Sequence, residues 1–265
     1  MTLAAIAYAG RGVARPRYHS NDTSEDLLDI QPLQMEIRDA RGLDMTLDGA
    51  GFTLCKHRSA VEDFTDRSAV EAVYREEIVS LIGSLSGADL VLVNSPGVLR
   101  FSERSAMSGH LDNSRPARFA HVDISDATAA AFAERAAPDG RRLSRFVHYN
   151  IWRVISQPPQ DVPLAVCDAR TVTPADLIFA DAVFNSPNRP QWSFEGIVVA
   201  HHPGHRWHWY PDMTRDEALV FKTNDSDPGQ PHHVPHSAFD DPTCPSGVPP
   251  RASIEMRAIA YWFGA

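Results

Sequence analysis

Cysteine is scarce in this chain of 265 residues, which holds only Cys55, Cys167 and Cys244. Three scattered thiols cannot form a disulfide framework or a zinc knuckle, and their odd number fits a reducing compartment. Long apolar runs are missing as well, and no stretch approaches the length that spans a bilayer. The opening, Met1-Thr-Leu-Ala-Ala-Ile-Ala-Tyr-Ala9, is mildly apolar but lacks the positive residues that precede the apolar run of a signal peptide. It reads as a first strand, and the expectation is a cytoplasmic protein with no membrane partner. Basic runs are absent too. With a formal net charge of −9 nothing could track phosphates, which excludes nucleic acid as a partner. No Gly-x-Ser-x-Gly elbow occurs, which argues against a Ser–His–Asp hydrolase. There is no internal repeat and no low-complexity tract.

What remains is an ordinary globular composition, 43% hydrophobic and 22% charged, enough for one large domain. The 20 prolines mark a chain of many turns. Of 12 histidines, nine lie after residue 120, which directs attention to the C-terminal half. Alternating stretches at Leu33–Arg38 and Phe52–His57 read as strands. Residues 67–85 form the clearest helix. Ser68 and Glu71 have capping-box spacing there, and Val70, Val73, Tyr74, Ile78, Leu81, Ile82 and Leu85 fall on one face. A strand at Ala88–Asn94 follows, and the polar segment 101–116 reads as a mobile loop. Ser125 can cap an alanine-rich helix that runs to about Ala137. Strand-like runs then recur at Phe146–Ile155, Leu164–Asp168, Phe194–Ala200, Arg206–Tyr210, Ala218–Thr223 and Ser253–Phe263. Many strands, few helices and Pro/Gly turns indicate a sandwich or barrel. Trp192, Trp207, Trp209 and Trp262 read as core residues.

The most informative local feature is His121-Val-Asp123. Residues two apart on a strand point to the same face. One further histidine would complete a two-His-one-carboxylate facial triad, which leaves three positions open on Fe(II) for O2 and an oxidisable cosubstrate. A surface pair is the commoner explanation of a bare His-x-Asp triplet, so its surroundings decide.

Those surroundings form an ordered series of blocks. The first is Phe52-Thr-Leu-Cys-Lys-His57 with Val61-Glu-Asp-Phe-Thr-Asp66 and the helix after it. His121-Val-Asp123, Asn150-Ile-Trp-Arg153 and Pro163–Arg170 come next. Then follow His205-Arg-Trp-His-Trp-Tyr210 through Met213, Asp216–Lys222 with Asp225, His236–Pro242 and Arg251–Arg257. The series covers residues 50–263 and resembles the AsaB-like hydroxylase/desaturase family, which includes gibberellin desaturase-like and CmcJ-type proteins. The resemblance implies a mainly β fold with flanking helices around a double-stranded β-helix core, a jelly-roll of cupin type. It implies one oxygenase domain over 1–265, with the N-terminal strands and helix of 1–100 packed on a β-core at 117–263. It also implies an Fe(II)/2-oxoglutarate-dependent oxidoreductase of secondary metabolism. Such an enzyme uses O2, with ascorbate as accompanying reductant, to hydroxylate, desaturate or cyclise a small natural-product intermediate. One departure is Asn94-Ser-Pro-Gly-Val-Leu-Arg100, where relatives often carry a histidine. It bears on the substrate side of the pocket, not on the metal ligands.

On this reading His121 and Asp123 are metal ligands. His236, which precedes the last strand as the distal histidine of jelly-roll oxygenases does, is the third. His205 is the alternative distal ligand, or else a substrate contact. The far carboxylate of 2-oxoglutarate needs a cation, and Arg suits it because its fork pairs bidentately. Arg257 and Arg251 both qualify, with a slight preference for Arg257. Arg251, Ser253 and Arg257 share one strand face by parity, and Arg251-x-Ser253 has the pattern of a carboxylate clamp. Asn150 is a candidate cosubstrate contact. Arg153, Trp152 and Lys222 are candidate substrate contacts, although Lys222 needs a counter-charge such as Asp225. His201-His202 and His232-His233 read as exposed loop pairs. Rival readings are a cosubstrate-independent metal dioxygenase on the same scaffold and a non-catalytic β-sandwich binding protein. Oligomeric state is not legible in the sequence.

Overall fold

The structure, a computed structural model, describes residues 1–186 and 190–264. The N-terminal part supplies β1 (Thr2–Ala9), β2 (Arg17–His19), β3 (Ile30–Asp39), β4 (Phe52–Lys56), β5 (Leu90–Val93) and β6 (Val98–Phe101). The middle supplies β7 (His121–Val122), β8 (Leu143–Val154), β9 (Leu164–Cys167), β10 (Leu177–Phe184) and β11 (Trp192–Val199). The remainder forms β12 (Trp207–Trp209), β13 (Glu217–Asp225), β14 (His236–Ala238) and β15 (Ala252–Phe263). Among the described residues these make a nine-stranded sheet, ordered β1-β3-β12-β9-β14-β7-β11-β10-β2, and a six-stranded sheet, β4-β13-β8-β15-β5 with β6 beside β15. The larger sheet curls on itself, since Ala120 N–H donates to Ala7 O at 2.7 Å and returns β1 to the start of β7. This is the expected mainly β jelly-roll.

Alternation along β8 and β13 divides the core in two. Trp152, Leu219 and Phe221 face inward onto Val166 of the larger sheet and Val234 of the β13–β14 connection. Tyr149, Ile151 and Val220 face outward and are covered by a helix through Tyr74, Ile78 and Ile82. Each fully buried side chain of this size contributes roughly 1.5–3 kcal/mol by leaving water. The covering helix starts as α1 (Arg67–Ala69), widens into a π turn over Val70–Tyr74 and continues as α2 (Arg75–Ser86). Its cap differs from the expected Ser68/Glu71 box. Asp66, extended just before the helix, accepts from Ser68 N and Ala69 N at 2.9 and 3.2 Å, which places Ser68 inside the first turn. Gly87 ends the helix at φ +64°, where a side chain would be strained.

α3 (Asp126–Ala136) starts as expected, with Ser125 Oγ accepting from Thr128 N at 3.2 Å. The loop after β6 is tied internally: Ser114, 1% exposed, accepts from Gly109 N and donates to Leu111 O. β6 and β10 lie where the sequence offers no clear alternation. Trp207 and Trp209 are core residues, but Trp192 is not. It is 50% exposed and stacks on Phe184 at 4.6 Å.

One buried histidine gives the fold a pH dependence. His148 on β8 donates from Nε2 to Ala129 O of α3 at 3.0 Å, and burial pushes its pKa down to about 4. An unfolded histidine titrates near ~6.5, so below that pH the unfolded chain takes up a proton that the native chain refuses. The sign is therefore a loss of stability as pH falls from 6.5 to 4, by ~3 kcal/mol in all at ~1.4 kcal/mol per unit. Urea unfolding at pH 7 and pH 5 checks this, with His148→Gln expected to flatten the difference.

Candidate metal centre

β14 and β7 are antiparallel neighbours, and His236 stands directly opposite His121. Cross-strand pairing brings the two rings to 4.2 Å between centroids. Asp123, just past the end of β7, keeps the parity of His121 and lies on the same face. Its Oδ1 is 3.6 Å from His121 Nε2 and 3.8 Å from His236 Nε2. The three ligand atoms lie within 4.8 Å of one another.

Hydrogen bonds set the tautomers. His121 Nδ1 lies 2.9 Å from Phe119 O, and His236 Nδ1 lies 3.2 Å from Val234 O. A carbonyl can only accept, so each Nδ1 carries the proton and each Nε2 keeps a lone pair aimed at the centre. Burial pushes the His236 pKa down to about 3, which keeps the ring neutral. Burial works to raise the Asp123 carboxyl, but Arg257, His121 and His236 outweigh it and hold it well below the usual range. Two imidazoles and one carboxylate form the donor set that Fe(II) accepts.

The opposite sheet holds the remaining carboxylate oxygen. Asn150 Nδ2 on β8 donates to Asp123 Oδ2 at 2.7 Å, and Arg257 on β15 approaches it at 3.3 Å. Oδ2 is thereby occupied and Oδ1 alone faces the two Nε2 atoms. Arg257 is also paired with Glu255 at 2.8 Å. Glu255 was not singled out from sequence, although strand parity with Arg251 and Arg257 pointed to it. His121, Asp123 and Arg257 line a cavity of about 690 Å³, and Asp123, Asn150 and Arg257 line a second of about 410 Å³. Phe184 and Phe194 line both. Sequence reasoning missed this aromatic wall: Phe184 ends the unassigned β10, and Phe194, although on an expected strand, was not singled out.

Arg251 is 2% exposed. Its Nε donates to Val162 O at 2.8 Å and its NH1 to Ser253 Oγ at 2.5 Å. Its guanidinium lies 5.9 Å from the Trp152 ring. No carboxylate lies within ion-pairing distance of it among the described residues, and burial pushes its pKa down to about 9.

Three candidates stand elsewhere. His205 lies beside Tyr8 (hydroxyl to Nδ1, 3.1 Å) and Asp176 (3.4 Å), in a separate cluster with His202, so it is not grouped with His121 and Asp123. Arg153, opposite in parity to Trp152, turns to the helix side of β8. It donates there to Tyr74 Oη at 3.0 Å and to the His57 and Arg215 carbonyls. Lys222 is fully buried and paired with Asp225 at 2.8 Å and Asp48 at 3.3 Å, so its counter-charge is structural. Neither Arg153 nor Lys222 lines the two cavities beside Asp123, and neither do Arg251 and Trp152.

A His-x-Asp pair and a facing histidine inside a jelly-roll have the arrangement of a two-His-one-carboxylate metal site. The chain belongs to the family described as the oxidoreductase/YMDC permease-like domain, which matches residues 10–261. It is 31% identical over 255 residues to the hydroxylase/desaturase CTB9 of Cercospora beticola, covering 86% of this chain and 76% of that protein. It is 30% identical over 241 residues to the alpha-ketoglutarate-dependent dioxygenase phiK of a fungal species, covering 86% and 83%. The solved iron and alpha-ketoglutarate-dependent endoperoxidase NvfI superposes with a TM-score of 0.81 over 99% of this chain and 98% of that one. At 22% identity that likeness speaks for the fold. The hydroxylase/desaturase resemblance read from the sequence blocks agrees with these relatives.

Proposed function

We propose that this chain is an Fe(II)/2-oxoglutarate-dependent oxygenase that hydroxylates, desaturates or cyclises a small natural-product intermediate. The observation that carries the reading is the convergence of His121 Nε2, His236 Nε2 and Asp123 Oδ1, with both Nδ1 protons committed to carbonyls. The relatives' names favour it over a cosubstrate-independent dioxygenase and over a non-catalytic binding protein.

His121, Asp123 and His236 would hold the iron. Asn150 and Arg257 orient the Asp123 carboxylate by taking its second oxygen. Arg251, with Ser253 beside it, would take the far carboxylate of 2-oxoglutarate, because it is a buried cation without an anion, while Arg257 is already paired twice. This reverses the slight preference for Arg257, and Trp152 would then flank the cosubstrate rather than the substrate. Bound iron and 2-oxoglutarate supply, with O2, the oxidation of a substrate C–H bond. The protein's share is to orient that bond and exclude water, and Phe184 and Phe194 beside Asp123 serve this. We read the whole chain as one jelly-roll domain. The cytoplasmic assignment rests on the three free thiols.

The test is aerobic incubation with Fe(II) and 2-oxoglutarate. Iron-dependent succinate is expected even without the primary substrate, at a slow uncoupled rate. Iron-loaded protein that forms no succinate, with or without candidate substrates, would overturn the proposal.

A further inference from the structure

A second group of two imidazoles and one carboxylate lies outside the pocket described above. Asp126 opens α3 three residues after Asp123 (126−123), and His233 precedes His236 by three (236−233), with His232 beside it in the β13–β14 connection. The sequence suggests an exposed histidine pair, but His233 is buried at 8% exposure. Neighbouring side chains on extended backbone point apart. Here both rings instead turn to one carboxylate, 4.3 Å apart and at 76° to each other. Their Nε2 atoms lie 2.7 and 3.0 Å from the same oxygen, Asp126 Oδ1. Asn224 Nδ2 donates to that oxygen as well, at 2.8 Å.

A carboxylate oxygen offers about two lone-pair directions, so three N–H donors over-subscribe it. The other oxygen, Oδ2, has no partner among the described residues. One divalent cation resolves the crowding. Both imidazoles then face it with Nε2 lone pairs, the carboxylate supplies the third ligand, and Asn224 remains to orient that carboxylate. Two imidazoles and one carboxylate suit borderline ions such as Zn2+. The Asp126 side chain is 68% exposed, so water can complete the coordination.

The cluster of Asp176, His202 and His205 lacks this readiness. Gly204 N–H donates to His202 Nδ1 at 3.1 Å. Trp207 Nε1 donates to the Tyr8 hydroxyl at 2.6 Å, which directs the Tyr8 proton to His205 Nδ1. With Nδ1 accepting, the Nε2 of each neutral ring carries the proton and has no lone pair for a metal. Among the described residues no donor fixes Nδ1 of His232 or His233 in that way.

We propose that Asp126, His232 and His233 form an accessory site for a divalent transition metal of the zinc type. It ties the β13–β14 connection to the start of α3, and so braces the two segments that carry Asp123 and His236. The test is titration of metal-free protein with Zn2+ against a chromophoric chelator. Wild type should bind two equivalents, His121→Ala one, His232→Ala one, and the double variant none. Asp126→Asn, which leaves the helix start isosteric, should match His232→Ala and guards against misfolding. In His121→Ala, saturating Zn2+ should raise the thermal midpoint, and in the double variant it should not. A single wild-type equivalent, lost in His121→Ala and kept in His232→Ala and Asp126→Asn, would overturn the accessory site. One equivalent lost in His232→Ala but kept in His121→Ala would support the accessory site and instead remove the catalytic triad.

Discussion

Replacing His236 with alanine is expected to remove stoichiometric iron and abolish succinate formation, while His205→Ala keeps both. The two histidines competed for the distal position in the sequence, and their surroundings separate them. His236 presents a protonated Nδ1 to Val234 O and its free Nε2 to Asp123, whereas His205 is held by Tyr8 and Asp176. Loss of an orienting partner around a metal costs ~10–100-fold in affinity, and loss of a ligand should exceed that. His205→Ala should cost only folding stability, because it opens a space beside Tyr8. Iron content after anaerobic loading and desalting distinguishes the pair. Retention of iron by His236→Ala and its loss in His205→Ala would exchange the roles.

The second large effect concerns the cosubstrate. Arg251→Gln should raise the KM for 2-oxoglutarate by more than ~100-fold while leaving iron content intact. Removing one partner of a buried ion pair costs ~3–5 kcal/mol, and each ~1.4 kcal/mol is a factor of ten. Arg251→Lys should recover only part of the loss, since an ammonium cannot reach Val162 O, Ser253 Oγ and a carboxylate with one fork. Arg257→Ala should behave differently. It leaves Asp123 Oδ2 to Asn150 alone and unpairs Glu255, so iron retention should fall with a smaller change in the KM for 2-oxoglutarate. If instead Arg257→Ala shows the large KM effect and Arg251→Gln does not, the clamp is Arg257.

Much of the centre was legible because it depends on local period. His121 and Asp123 share a face by strand alternation, and His236 stands where the order of strands requires a third ligand. The choice between Arg251 and Arg257 was not legible. Arg257 on β15 and Arg251 just before it have the same parity, and what separates them is Asp123, which reaches Arg257 from the other sheet. Arg153 is a different case. Its parity, opposite to Asn150 and Trp152, already placed it away from the centre, and that signal was passed over. Lys222 likewise needed only its counter-charge, and Asp225 supplies it. β10 is not legible because Leu177–Phe184, although turn residues flank it at Pro174–Asp176 and after Phe184, lacks clean alternation. Its place is set by pairing with β11 and β2, which no local pattern encodes. The helix cap slipped from Asp66 to Ser68 because both residue types can serve there, and only the backbone conformation chooses between them.

The most direct measurement is anaerobic titration of Fe(II)-loaded protein with 2-oxoglutarate, followed through the weak visible charge-transfer band of an iron–keto-acid chelate. The account predicts a band that saturates at one 2-oxoglutarate per iron and is absent in Asp123→Ala. Stoichiometric iron that gives no band at saturating 2-oxoglutarate would contradict it.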